Sequence, residues 1–191
     1  MEAPKTFNEA AHIVADEIAS LLERKNKDYG TDNILLFAEL GILVRSSDKI
    51  ARLRTLLWTN HKREVSDETV EDTWRDLAGY CIIATVFRQG WDGKKFGEDV
   101  HRIGREIADL LVKKNNDYGS NNVLAFGEVG LLVRVSDKII RLKNLLYDNP
   151  QRSIANADEK IVDTWRDIAG YAIIALLLKR GWFELPLEER K

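Results

Sequence analysis

The stretch DETVEDTWRDLAGYCIIATVFRQGW at residues 67–91 recurs as DEKIVDTWRDIAGYAIIALLLKRGW at residues 158–182. Outward from these two copies, the similarity extends back to Phe7 in the first copy and to Phe96 in the second, and more than half of the aligned positions are identical. This similarity indicates that the chain consists of two tandem repeats. The first repeat covers residues 1–91, a linker covers 92–95, the second repeat covers 96–182, and a tail covers 183–191.

Three helices are predicted in each repeat. No segment shows the alternating pattern of a strand bounded by turns, and proline occurs only at residues 4, 150 and 186, which leaves long uninterrupted segments. Two copies are too few for an open solenoid. We therefore expect an all-α fold in which two three-helix repeats pack as a pseudo-twofold bundle. The predicted helices are Asn8–Lys25, Asn33–Trp58, Asp67–Gly90, Gly97–Lys114, Asn122–Tyr147 and Asp158–Gly181.

Composition and charge argue against several classes of function. The 191 residues carry a net charge of −2, with 45% hydrophobic and 31% charged residues, so neither direct nucleic-acid binding nor membrane binding is expected. The only cysteine, Cys81, aligns with Ala172, so no disulfide framework or thiolate metal site is predicted. No secretion signal is evident and no apolar run is long enough to span a bilayer. We expect a cytoplasmic location.

The two copies separate retained acidic residues from variable ones. Five acids of the first repeat are replaced in the second, so we interpret them as surface charges. They are Asp16, Glu23, Asp32, Glu64 and Glu71. Most of the retained acids fall in three short blocks. His12 and His101 are also equivalent, but neither has partners at metal-ligand spacing, so we interpret both as structural.

The first block is K-N-x-D-Y-G at residues 25–30, repeated at 114–119. Its glycine can adopt positive φ and end the preceding helix, with the Asn and Asp side chains bonded to the local backbone. Alternatively, the block is a ligand-facing loop in which a lysine binds phosphate and a tyrosine stacks on a base or sugar. The candidate residues are Lys25, Asp28, Tyr29, Lys114, Asp117 and Tyr118.

The second block is G-x-x-x-R-x-x-D-K-x-x-R at residues 41–52, repeated at 130–141. Its glycine, arginines and aspartate share one stripe of a helix, with the lysine beside them. The stripe is either a ladder of ion pairs worth about 0.2–0.5 kcal/mol each or, as we favour, a cationic surface for phosphates. The cations are Arg45, Lys49, Arg52, Arg134, Lys138 and Arg141. Glu39 and Glu128 lie on the apolar side, where a buried glutamate and a site carboxylate are both compatible with the sequence.

The third block is E-x-x-x-D-x-x-x-D-x-x-G-Y at residues 68–80, repeated at 159–171. The spacing of four places three carboxylates on one helix face, where they repel unless a divalent cation or arginines neutralise them. Oxygen ligands on rigid helices suit Mg²⁺ or Mn²⁺. An acidic N-terminal half also suits the helix dipole, which accounts for the first acid of the block better than for the last. These acids are Glu68, Asp72, Asp76, Glu159, Asp163 and Asp167.

With these three motifs, the chain resembles the nucleotide modification associated domain type 1 family, which is phage-associated, and the resemblance covers both repeats. By its helix pattern it is also similar to the all-α NTP pyrophosphohydrolases, the MazG-like and dimeric dUTPase group. The resemblance implies Mg²⁺ held by carboxylates of two neighbouring helices, and cleavage of a nucleoside triphosphate to a monophosphate and pyrophosphate. Those enzymes carry E-x-x-E on one helix and E-x-x-D on the next. Here Asp76 and Asp167 match the last acid, whereas Arg45-x-x-Asp48 and Arg134-x-x-Asp137 stand where two glutamates are expected.

The resemblance implies a role for each candidate residue. Phosphate oxygens would contact the cations of the first and second blocks, with a tyrosine ring beside them. Glu39, Glu68, Glu128 and Glu159 would be outer ligands or water-orienting bases. The predicted Mg²⁺ or Mn²⁺ ligands are Asp48, Asp72 and Asp76 in the first repeat and Asp137, Asp163 and Asp167 in the second.

Three hypotheses follow. The first is an NTP pyrophosphohydrolase-like enzyme acting on nucleotides, in phage nucleotide modification or pool control. The second is a non-catalytic nucleotide-binding or partner protein of a DNA-modification pathway, which needs no metal. The third is a structural helical module whose charged stripes are ion-pair ladders. In each, one chain forms a pseudo-dimer that could further associate as a homodimer.

Overall fold

The computed structural model describes residues 3–29, 36–59, 69–91, 94–118, 121–149 and 157–187, without the side chains of residues 29, 117, 118, 121 and 157. Every regular element within these ranges is helical, which confirms the all-α fold class. The first repeat contains α1 (Phe7–Tyr29), α2 (Ala38–Leu57) and α3 (Val70–Arg88). The second contains α4 (Phe96–Tyr118), α5 (Asn121–Lys143), a π-helical turn (Asn144–Asp148) and α6 (Ala157–Lys179).

The K-N-x-D-Y segments are helical, so the prediction that the first helix of each repeat ends before them is wrong. α1 continues through Tyr29 and α4 through Tyr118. Neither segment contains a proline or glycine before residues 30 and 119, so nothing interrupts the hydrogen bonds of the helix backbone. Lys25 and Lys114 therefore project from the last two turns of helices and not from loops.

The second helix of each repeat contains a residue with left-handed backbone near its start. α2 begins at Ala38, whose φ is 46°, and α5 is interrupted at the aligned Gly127, whose φ is 53°. Glycine adopts positive φ readily, whereas a residue with a Cβ pays roughly 1–2 kcal/mol. The predicted start at Asn33 lies outside the described residues. At the other end, α5 stops at Lys143, before the predicted Tyr147, because the chain continues as the π-helical turn.

The third helices end alike but begin differently. Gly90 and Gly181 follow them with φ of 82° and 68°, which confirms the predicted C-terminal glycine. Thr69 caps α3: its Oγ1 accepts from the backbone N–H of Asp72 (3.0 Å), and Asp72 Oδ2 accepts from the backbone N–H of Thr69 (2.9 Å). This capping box starts α3 at Val70, later than the predicted residue 67, which itself lies outside the described residues. α6 has lysine at the aligned position 160 and begins earlier, at Ala157.

Corresponding helices of the two repeats pack against each other. α3 packs along α6 and α1 along α4, while α2 and α5 cover α3 and α6 and touch each other. Trp74 of α3 and Trp165 of α6 are completely buried. Buried side chains of both repeats form one hydrophobic cluster, as expected for repeats too small to form large separate cores. Each fully buried large apolar side chain in it contributes roughly 1.5–3 kcal/mol.

Candidate functional site

In the first repeat, two lysines contact one aspartate where three helices converge. Asp76, in the second turn of α3, accepts at Oδ1 from Lys25 Nζ of α1 (3.1 Å). Its Oδ2 lies 2.8 Å from Lys49 Nζ of α2. The side chains of Lys49 and Asp76 are only 18% and 23% exposed. We refer to Lys25, Lys49 and Asp76 as the first lysine–aspartate cluster.

The second repeat builds the same arrangement, the second lysine–aspartate cluster. Lys114 Nζ of α4 donates to Asp167 Oδ1 (2.9 Å), and Lys138 Nζ of α5 donates to Asp167 Oδ2 (2.6 Å). Burial by itself raises the pKa of Asp167, but the hydrogen bonds and charges of Lys138 and Lys114 outweigh it and hold that pKa below its ordinary value. The ionised carboxylate therefore neutralises only one of the two ammonium groups, and the cluster keeps a net positive charge.

A cavity of about 390 Å³ lies beside the second cluster. Its lining is divided between polar groups and an apolar wall, and Phe7 of the first repeat belongs to that wall. The polar lining includes Lys114, Asn115, Asn122, Arg134, Arg166, Asp167 and Tyr171, and the apolar lining includes Phe7, Ile107, Leu110, Leu111, Val123, Ile174 and Phe183. The volume and the mixture of a few polar groups with an apolar wall are typical of small-molecule sites.

Two arginines line this cavity. The guanidinium of Arg134 lies over the ring of Tyr171, 6.0 Å from its centroid, which is the distance of a weak cation–π contact. Arg166 donates to Glu106 of α4 through Nη2. Its Nε is buried and finds no acceptor among the described residues, and an orphaned buried donor is costly. An anion in the cavity would offer both arginines further acceptors.

The other predicted phosphate-binding residues are not part of the two clusters as defined above, and the side chains of some lie outside the described residues. Arg45 and Arg52 of α2 are half-buried, and Arg141 of α5 and Asp28 of α1 are exposed. The side chains of Tyr29, Asp117 and Tyr118 are outside the described residues. The structure therefore brings together the lysines of the first two blocks and the last aspartate of the third, and it adds Arg134 to the second cluster's cavity.

The remaining predicted metal ligands are either engaged by other residues or exposed. Asp72 is held by the cap of α3 and by Arg75, whose Nη1 lies 2.7 Å from its Oδ1. The hydroxyl and backbone N–H of Thr69, assisted by Arg75, hold the pKa of Asp72 below its ordinary value. Asp48, Asp137 and Asp163 are exposed.

Glu39 and Glu128 join the two repeats. Glu39 is buried, at 7% exposure, and its Oε1 accepts from Trp165 Nε1 of the other repeat (2.6 Å). Its Oε2 accepts from Arg88 Nε (2.7 Å). Glu128 Oε1 accepts from Trp74 Nε1 (2.8 Å), again across the repeats. Of the two interpretations, Glu39 matches the buried, hydrogen-bonded one, whereas Glu128 is hydrogen-bonded but only partly buried.

The described residues hold no preformed cluster of ligands for a divalent cation. They contain no group of three or more His, Cys, Asp or Glu side chains placed to hold a metal ion. Both oxygens of Asp76 and of Asp167 are engaged by lysines. A Mg²⁺ ion, which is usually held by one or two carboxylates together with substrate phosphates, would have to displace a lysine from either aspartate. Glu159 is exposed, and Glu68 lies outside the described residues. The predicted Mg²⁺ or Mn²⁺ site stays a prediction that the described donor set does not fit.

Each of the two equivalent histidines contacts an acid of the other repeat. His12 Nε2 lies 3.1 Å from Asp109 Oδ1, and its Nδ1 lies 2.9 Å from the Asn8 carbonyl oxygen. His101 Nδ1 lies 3.2 Å from Asp16 Oδ1. These contacts lie where α1 packs along α4, which is compatible with the interpretation of both histidines as structural. Asp16, interpreted as a surface charge, takes part in this contact, so that interpretation is incomplete.

The sequence comparison also missed residues that line the cavity. Arg166 and its counterpart Arg75 precede the cluster aspartates in both copies of D-T-W-R-D, so the retention that singled out acids could have singled out this arginine. Phe183 carried no such signal, because it lies after the end of the repeat. Its place in the cavity depends on how the tail folds back.

Comparison of the chain with protein-family models, with curated proteins and with solved structures finds no match. Among the described residues, no helix is long and apolar enough to cross a membrane.

Proposed function

We propose that this protein binds nucleotides, with the phosphates at the lysine–aspartate clusters and the base in an adjacent cavity. The observation that carries the proposal is the second cluster, whose Lys114 and Asp167 line a 390 Å³ cavity together with Arg134 and an apolar wall, while Lys138 holds the other oxygen of Asp167. Each lysine has three N–H donors and gives one to Asp167, which leaves donors for phosphate oxygens. Tyr171 supplies an aromatic ring beside the same cations.

The reciprocal contacts of Glu39 with Trp165 and of Glu128 with Trp74 support a pseudo-twofold arrangement of the repeats. In that arrangement the first lysine–aspartate cluster is the counterpart of the second, and the chain holds two nucleotide sites. The first cluster has two lysine donors and one aspartate on the corresponding helices α1, α2 and α3. Phosphate binding at both clusters explains why duplication kept two lysines and one aspartate that are distant in sequence.

Nucleotide binding without a required metal suits the described donors better than NTP pyrophosphohydrolysis. A hydrolase of the expected kind needs carboxylates that are available to Mg²⁺, and here lysines engage the central carboxylate of each cluster. The same lysines supply the positive charge that a metal would otherwise bring to a polyphosphate.

The direct test is calorimetric titration of the full chain with a panel of deoxynucleoside triphosphates, in EDTA and again in Mg²⁺. We expect binding that persists in EDTA, without release of pyrophosphate. Lys114→Met should weaken binding to the second site about tenfold, which corresponds to the loss of one charged phosphate contact at about 1.4 kcal/mol. Lys113→Met is the matched control, because Lys113 is adjacent and exposed but does not line the cavity.

Three outcomes would overturn the proposal. If none of the nucleotides bind, or if Lys113→Met weakens binding as much as Lys114→Met, the cluster is a structural ion pair and not a phosphate site. If Mg²⁺ leads to release of pyrophosphate that Asp76→Asn/Asp167→Asn abolishes, the protein is the hydrolase and the carboxylates must exchange lysine for metal.

A further inference from the structure

The short tail that follows the second repeat forms one wall of the cavity. Phe183 is 4% exposed and lines the same cavity as Lys114 and Arg134. Its ring meets that of Phe7 edge-to-face, with centroids 5.8 Å apart and an interplanar angle of 76°. The backbone N–H of Phe7 donates to the Pro186 carbonyl oxygen (2.8 Å), so the tail is tied to the start of α1 at two points.

The first repeat lacks this aromatic residue. The residue that follows Trp91 in the first repeat is Asp92, at the position that Phe183 takes after Trp182. Phe96, the counterpart of Phe7, instead meets Trp91, with ring centroids 5.7 Å apart. Trp182 lies beneath the guanidinium of Arg180, 5.2 Å from it. The equivalent residues Phe7 and Phe96 therefore have different aromatic partners, Phe183 for the former and Trp91 for the latter.

We infer that Phe183 is a specificity-determining residue, which makes the second site select phosphate esters that carry an aromatic ring over phosphate chains without one. The inference rests on the nucleotide-binding proposal and deepens it. A cationic cluster alone binds any polyphosphate, because charge carries no information about the rest of the ligand. A flat group that enters the cavity meets the edge-to-face pair of Phe7 and Phe183, and aromatic contacts of this kind contribute about 0.5–1.5 kcal/mol beyond buried area.

Calorimetry with two ligands of equal phosphate content separates the wall from the cluster. The background for all titrations is Lys25→Met/Lys49→Met, which removes the lysines of the first cluster. This double variant, with Phe183 intact, with Phe183→Ala or with Phe183→Leu, is titrated with a deoxynucleoside triphosphate and with inorganic tripolyphosphate. We expect Phe183→Ala to weaken nucleotide binding about tenfold and to leave tripolyphosphate binding within about twofold. Phe183→Leu keeps most of the apolar volume without the ring and should fall between the two.

The possible results distinguish this inference from the proposal beneath it. Equal weakening of both ligands by Phe183→Ala would make Phe183 a structural anchor of the tail, and no weakening of either would remove it from the site. Both results overturn the inference and leave the nucleotide site standing. If neither ligand binds the chain with intact Phe183, the phosphate site itself is absent and both ideas fail. Phe183→Leu preserves the test if Phe183→Ala does not fold, as judged by its melting curve.

Discussion

The two repeats keep the same lysine–aspartate cluster but hold a further retained acid, Glu39 in the first and Glu128 in the second, by different contacts. In the first repeat, Glu39 is buried and forms hydrogen bonds to a tryptophan and to Arg88, which also pairs with Asp158. In the second, Glu128 is 22% exposed and its second partner, Lys179, lies at 3.4 Å. The second cluster opens on a cavity that the tail helps to enclose. Duplication therefore preserved the cluster while the hydrogen bonds of the two glutamates diverged.

The largest expected difference between the repeats concerns these two glutamates. Glu39→Gln places an amide against the Arg88 guanidinium and removes a charge-assisted hydrogen bond at a buried site, which should lower the free energy of unfolding by about 2–3 kcal/mol. Glu128→Gln keeps the acceptor for Trp74 and loses only the long contact to Lys179, so a loss of about 0.5 kcal/mol is expected. Urea denaturation of both variants measures the difference. Equal losses would show that the two contacts are energetically alike despite their geometry.

The next effect concerns the left-handed position near the start of the second helices. Ala38→Gly should raise the free energy of unfolding by about 1 kcal/mol, because glycine adopts φ of 46° without strain and this gain exceeds its larger entropy in the unfolded chain. Gly127→Ala places the alanine of the first repeat in the second and should lower it by a similar amount. Thermal melts of the two variants test the pair. A fall in melting temperature for Ala38→Gly would show that the positive φ of Ala38 does not destabilise the fold.

The smallest effect concerns pH. The pKa of Asp167 is held below its ordinary value, so this carboxylate binds protons less readily when folded than when unfolded. It therefore stabilises the fold at neutral pH, and that contribution is lost as pH falls below about 3.9 towards the lower folded pKa. Asp167→Asn should reduce the slope of stability against pH in this window and leave the slope above pH 5 unchanged. Urea midpoints measured from pH 3 to 7 provide the check, and an unchanged slope at low pH would argue against the lysine contacts.

The helix content and the residues of the lysine–aspartate clusters were predictable from the sequence, but their association was not. Lys25, Lys49 and Asp76 were each singled out, yet they were assigned to two separate tasks, phosphate binding and metal binding. The periodicity that placed them on helix faces is local and does not say which face meets which. The same limit hid the burial of Glu39, whose tryptophan partner is 126 residues away.

Errors at helix ends have a different cause. The K-N-x-D-Y segment is rich in residues that suit turns, but a helix continues until a residue prevents its backbone hydrogen bonds, and none of these does so. The start of α3 was displaced from the prediction because Thr69 and Asp72 form a capping box, whereas the acids before it suggested an earlier start. Alternative helix ends differ in free energy by only about 1 kcal/mol, and the sequence pattern does not distinguish differences of that size.

The sequence by itself determined that the chain is helical and duplicated, and which charged residues both copies keep. Those properties follow from hydrophobic periodicity and from identity between the copies, which need no knowledge of packing. Tertiary structure decided that each aspartate lies between two lysines and that Glu39 and Glu128 join the repeats. It also decided that Phe183 lines the second cavity. These contacts bring together residues from different helices, and only the packing of one helix on another sets the distance between them.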